Sequence, residues 1–111
     1  MKIGFTTFAC PDWRINDVLD AAMHYGYHGV ELRIDAHQEH GLEVWSPKPD
    51  RMDVRNRLRD QNVEICCLAT SLQCLHAAVV DDLYSRVELA HDLNVPALRV
   101  MCGKPLEPMP I

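Results

Sequence analysis

The residues best suited to chemistry are concentrated between Gly26 and Trp45. Val30, Leu32 and Ile34 alternate there with Glu31, Arg33 and Asp35, a period of two that sends one set of side chains into a core and sets the other on the opposite strand face. One face is apolar and the other carries charge. The polar loop that follows, Asp35 to Trp45, holds His37 and His40 with Asp35 and Glu39 beside them, the nitrogen and oxygen donors from which metal sites are built. A histidine pair of this spacing in a loop lacks the helix that would align both rings. The stretch is read as a solvated loop, and no metal ligand is assigned in it. His24 and His28 are read as structural or solvent histidines, and Cys66 and Cys67 as small buried hydrophobes pointing to opposite faces of one strand.

The elements that must position these groups can be taken in chain order. Lys2 to Phe8 alternates as a first strand, and a turn follows at Ala9 to Asp12. Ile15, Val18, Leu19, Ala22 and Met23 then form the stripe of an amphipathic helix that Gly26 can end as a left-handed cap. Arg14 stands where a small polar cap is expected. After the strand over 30–34, Ser46 and Pro47 read as an N-cap and first helical residue, with Pro49 still in the first turn. The helix to about Gln61 shows a thin stripe of Val54 and Leu58, with Arg51 among many mixed-sign charges read as a solvated face. Val63 to Ser71 is a third strand ending in Thr70-Ser71, and Leu72 to Val80 is less regular. Asp81 or Asp82 caps a helix with Leu83, Val87 and Ala90 buried and Asn94 as terminator, before Pro96. Ala97 to Cys102 is a fourth strand with Arg99 on its second face.

The order βαβαβαβ implies a parallel α/β sheet. In a doubly wound sheet both faces are covered, so its strands read as unbroken apolar runs, and the charges at Glu31 and Arg99 do not suit it. In a TIM (β/α)8 barrel the inward side chains near the C-terminal mouth face the site, and alternate strands share layers. On that plan Glu31 and Arg99 meet as an interior ion pair. A TIM barrel needs eight strands and about 250 residues, so these four strands read as an N-terminal half, residues 1–111 forming one partial domain with a proline-rich tail over 104–111. A small flavodoxin-like domain acting as a binding or interaction module is the alternative, although no strand is followed by a glycine-rich phosphate loop.

Composition narrows the class. With 111 residues, 48% of them apolar, the chain can form one real core, and a formal net charge of -5 gives no electrostatic footprint for nucleic acid or an anionic membrane. No signal peptide or membrane span is read. Five cysteines without C-x-x-C spacing suggest neither a disulfide framework nor a zinc knuckle, and reduced thiols in a cytoplasm are the simple expectation.

The sequence resembles the xylose isomerase-like barrels described as sugar phosphate isomerases/epimerases. The resemblance is carried by Met1-Lys2-Ile3-Gly4, by Gly26-Tyr27-His28-Gly29-Val30-Glu31-Leu32-Arg33, by Leu68-Ala69-Thr70-Ser71 and by Leu98-Arg99-Val100, in that order along nearly the whole chain. It implies a metal-dependent isomerase acting on a sugar or sugar phosphate, with a divalent ion (Mn, Mg, Co or Zn) polarising the carbonyl and two carboxylates moving the proton. The ligands and bases of that family come from later strands, so no catalytic residue is assigned. Trp13 resembles the aromatic that borders the sugar, or else packs as a staple under the first helix. Glu31 and Arg33 resemble the polar residues below the mouth, and Thr70 and Arg99 complete the substrate-binding expectation. The fragment is expected to be inactive alone; the alternative is a free-standing half-barrel, without catalysis, that associates with a second copy or a complementing half-barrel.

Overall fold

The computed structural model describes residues 1–75 and 79–103. Four strands, β1 (Gly4–Thr6), β2 (Gly29–Arg33), β3 (Glu64–Gln73) and β4 (Leu98–Met101), alternate with three helices, α1 (Ile15–His24), α2 (Lys48–Gln61) and α3 (Val79–Leu93). The sheet is parallel throughout and its spatial order is the sequence order, β1-β2-β3-β4. A doubly wound sheet reverses its order at a switch point. This one does not, which removes the flavodoxin-like alternative. Val30, Leu32 and Ile34 of β2 and its end join Ile65 and Leu68 of β3 in one core with Val18 and Leu19 of α1, Val54 and Leu58 of α2, and Leu89 and Leu93 of α3. The helices thus cover one face, as the alternation in β2 predicts. Glu31, Arg33, Cys67 and Arg99 on the other face are only partly buried.

The boundaries differ from expectation for local reasons. β1 stops at Thr6 because Thr6 Oγ1 accepts from Phe8 N–H at 3.3 Å and a 3-10 turn spans Thr7–Ala9. Arg14 does cap α1, by its backbone: its N–H donates to the Asp17 carboxylate at 3.3 Å. Gly26, at φ +74°, takes the left-handed position after the last turn. Ser46 does not cap α2. Its hydroxyl turns into the preceding loop, accepting from Glu43 N–H at 2.9 Å and donating to Gly41 O at 3.1 Å, and the helix begins at Lys48 with Pro47 as N-cap. β3 continues through Leu72 and Gln73, which were expected to be irregular, and α3 starts at Val79, which puts Asp81 and Asp82 inside its first turn. The rest of that irregular stretch, 76–78, and the proline-rich tail 104–111 lie outside the described residues.

Three helix faces also require correction. Arg51 is not on a solvated face: it is i−3 from Val54 and i−7 from Leu58, on their stripe, and its guanidinium meets Asp92 of α3 at 3.1 Å with both side chains buried. Val87 and Met23 are exposed. The buried stripe of α3 is Leu89, Ala90 and Leu93, headed by Arg86, which pairs with Asp35 at 2.8 Å. In both α2 and α3 an arginine at the start of the stripe takes the place of an apolar residue.

Candidate functional site

Strand register decides which charged residues meet. Arg33 of β2 and Arg99 of β4 are both opposite Ala69 of β3. Glu31 is opposite Cys67, one layer deeper. Arg99 therefore stands level with Arg33, and the expected Glu31–Arg99 ion pair is not formed. Each guanidinium carbon lies 5.5 Å from the centroid of the Phe8 ring, so one aromatic ring supports two cations. Among the described residues neither arginine has a carboxylate within salt-bridge distance.

Both guanidiniums are held by backbone. Arg33 Nη1 donates to Ala69 O at 3.0 Å and to Ile34 O, and Nη2 donates to Ser71 Oγ at 2.6 Å. Arg99 Nη2 donates to Thr70 O at 2.8 Å, while its buried Nε has no hydrogen-bond partner. An arginine has five N–H donors in a fixed fork, so donors remain for a ligand. An irregular step in the β3–β4 register follows immediately, between Ala69 and Gln73. Thr70 is fully buried, and its hydroxyl donates to Arg99 O at 2.7 Å and accepts from Leu72 N–H at 3.2 Å. The Thr70 hydroxyl is thus engaged by the backbone of Arg99 and Leu72. Ser71 presents the exposed hydroxyl instead. Trp13 lies between the 3-10 turn and α1 and is 41% exposed.

The loop after β2 frames this platform. Asp35, in the left-handed region at φ +64°, accepts from Ser71 N–H at 3.0 Å and from Arg86, joining β2, β3 and α3. His40 is buried: Nδ1 accepts from Leu42 N–H at 3.0 Å, so Nε2 carries the proton it donates to Arg33 O at 2.7 Å. With both ring nitrogens engaged, His40 is a loop brace, and burial pushes its pKa down. Glu43 is equally buried. One oxygen accepts from Asp35 N–H at 2.7 Å, the other has no partner, and burial pushes its pKa up, with the Asp35 carboxylate adding in the same direction against the lowering effect of the Asp35 N–H. Among the described residues no group of three or more His, Cys, Asp and Glu could hold a metal ion. The described side chains thus offer no ligand set of their own for the divalent ion that the resemblance implies. His28 is structural, its Nδ1 accepting from Ile3 N–H at 3.0 Å.

The cysteines at the deeper end depart from expectation. Cys66 is the extra residue of a bulge against β2, between the pairs Val30–Ile65 and Glu31–Cys67. It is exposed and Cys67 is half-buried, so neither is a core hydrophobe. The bulge breaks the alternation that put them on opposite faces: the partial burial that raises each thiol pKa is reinforced by the same Glu31 carboxylate. Phe8 is the residue that sequence reasoning missed. It continues the period of Gly4 and Thr6, the signal that marks it, but the 3-10 turn intervenes. A cleft of about 660 Å³ lies at the opposite end of the sheet, between the last turns of α2 and α3, lined by Arg55, Leu58, Arg59, Leu93 and Pro96 among others. That end of a β/α barrel serves stability, so the arginine platform is taken as the site.

No family model and no curated protein matches the sequence. Among solved structures, the chain is similar to the crystal structure of the probable 3-DHS dehydratase AsbF, involved in petrobactin synthesis, from Bacillus anthracis, with a TM-score of 0.71 and 19% identity over 90% of this chain. The match covers 38% of that chain. At this identity the likeness speaks for the fold alone, and the parallel, sequentially ordered, one-sided sheet is that of part of a TIM barrel.

Proposed function

We propose that this chain forms the part of a barrel mouth that binds the anionic, hydroxylated end of a small substrate, in a metal-dependent isomerase or epimerase of sugars or sugar phosphates. The observation that carries the reading is the pair of guanidiniums level across β3, sharing Phe8, braced by backbone and without a carboxylate partner among the described residues. Two fixed cations with free donors favour a phosphate or carboxylate, and Ser71 Oγ adds a hydroxyl contact. Arg33 and Arg99 would orient the substrate, Phe8 and Trp13 would exclude water, and Glu31 would lie below. No proton transfer is assigned to them. The divalent ion and the acid and base belong, on this reading, to strands outside this chain, and no turnover by the chain alone is expected.

The structural neighbour favours a second reading of the same platform. AsbF is described as a dehydratase, and elimination of water from a small hydroxylated acid would use the arginines on its carboxylate. Calorimetric titration at low salt with fructose 6-phosphate, fructose and inorganic phosphate tests the shared step. Binding of the phosphorylated probes, weakened at least tenfold by Arg33→Ala or Arg99→Ala and unchanged by Arg57→Ala on α2, is expected. Equal binding of fructose and fructose 6-phosphate, or indifference to both arginine substitutions, overturns the reading.

A further inference from the structure

The five cysteines show no motif spacing along the sequence, yet the sheet brings two of them side by side. Beyond the irregular step in β3, parallel pairing resumes at Gln73 and Met101. Cys74 N–H donates to Met101 O at 2.8 Å, and Cys74 Sγ lies 3.6 Å from Cys102 O. The next residues in that register are Cys74 and Cys102 themselves. The two chains remain in close contact here, since a Cβ placed on Gly103 would stand 2.9 Å from Gln73 Cβ. Adjacent register positions on neighbouring strands lie about 5 Å apart and direct their side chains to one face. That spacing falls inside the roughly 4.4–6.8 Å between Cα atoms that a disulfide spans. Both thiols are exposed, so an oxidant can reach them, whereas Cys10 is buried.

We propose that Cys74 and Cys102 are an oxidisable pair that closes to an intrachain disulfide, with a small disulfide such as oxidised glutathione as the electron acceptor. The Cys74 thiol loses its proton and attacks one glutathione sulfur, the glutathione S–S bond breaks, and one glutathione leaves. The Cys102 thiolate then attacks the Cys74 sulfur and displaces the second glutathione. Two electrons from the two protein thiols reduce one glutathione disulfide to two thiols, which take the two protons. The new bond ties β4 to β3 immediately beyond the step that follows the Ala69–Arg99 pair and contains Thr70. The pair depends on strand register alone and stands whether or not the platform binds an anion.

The test is to expose the reduced chain to oxidised glutathione, block remaining thiols, denature, count thiols and map linkages by mass spectrometry. Chymotryptic cuts after Leu68 and Leu72 separate Cys74 from Cys66 and Cys67. Free thiols falling from five to three, no retained glutathione, and a linked peptide pair holding Cys74 and Cys102 are expected. Cys66→Ser should give the same link, and Cys102→Ser should leave glutathione on Cys74. Persistent glutathione on Cys74 of the unaltered chain, a link through Cys66 or Cys67, or links only between chains overturns the proposal, and that mapping requires no variant to fold.

Discussion

Removing Asp92 from the buried pair with Arg51 should destabilise the chain by about 3 kcal/mol, the lower end of the roughly 3–5 kcal/mol seen when a buried ion pair loses one partner. The attraction at 3.1 Å is about 5 kcal/mol at an effective dielectric of about 20, and desolvation of two ions offsets much of it. The larger effect is what remains after truncation. In Asp92→Ala the Arg51 guanidinium stays charged, since it cannot deprotonate, and only Ser46 O at 2.8 Å and Val44 O at 2.6 Å still accept from it. Those two carbonyls keep the loss at the lower end. Arg51→Met should cost about as much, because it leaves the same carbonyls and Asp92 without their donor, and Lys48, 3.7 Å from Asp92 but 73% exposed, is a weak substitute. Urea unfolding measures both. With a slope of about 1–2 kcal/mol per molar for a small domain, each midpoint should fall by roughly 1.5–3 M. The double variant Arg51→Met, Asp92→Leu should recover at least about 2 kcal/mol relative to the sum of the single losses. Additive losses, or a single loss below about 1 kcal/mol, would refute the reasoning.

Three further outcomes follow from the loop and the sheet. The lowered pKa of His40 means that the unfolded chain takes up a proton near pH 6.5 while the folded chain resists it, so this contribution is present above that pH and is lost as pH falls towards the folded value. His40→Gln should flatten the acid limb of a urea-midpoint profile, and an unchanged slope would count against it. Glu43 has the opposite sign: its raised pKa means that the folded state keeps a proton above 4.5, so its contribution is lost as pH rises from there, and Glu43→Gln should remove that fall. Gly4→Ala should cost about 1–3 kcal/mol, because its Cβ would lie 2.8 Å from the backbone oxygen of Gly29 and β1 would have to part from β2; a midpoint within error of the native one contradicts this.

The fold was legible where one physical rule governed a segment. The charged and apolar faces of β2, the left-handed stops at Gly26 and Asn94, and the parallel order all followed from period and capping. The helix stripes were less legible because Arg51 and Arg86 occupy core-facing positions. Apolar periodicity does not register an arginine, and its partners, Asp92 and Asp35, are 41 and 51 residues away. Strand registers were not legible at all. The bulge at Cys66 breaks the count of two and exposes a cysteine, while the β3–β4 register sets Arg99 opposite Ala69, level with Arg33 and not with Glu31, ahead of the step between Ala69 and Gln73. Thr70, inside that step, bonds Arg99 O and Leu72 N–H through its hydroxyl, and such a bond competes with the ladder only once the neighbouring strand is in place.

Thr70 puts that account to its sharpest test. Its hydroxyl bonds Arg99 O and Leu72 N–H, while its carbonyl accepts from the Arg99 guanidinium, so one residue fixes both ends of the arginine that faces the site. Thr70→Val keeps the shape and removes the hydroxyl. Two buried backbone groups then lose a partner, at about 1–3 kcal/mol in urea unfolding. A purely structural role would end there. A positioning role adds a second effect: with the step in β3 loosened, Arg99 no longer stays level with Arg33, and phosphate affinity at low salt should fall severalfold although no ligand-contacting group has changed. Thr70→Ser, which restores the hydroxyl, should recover the affinity. If Thr70→Val lowers stability but leaves phosphate affinity intact, the register of β4 does not depend on this hydroxyl, and the geometry of the two arginines must be held by the strands alone.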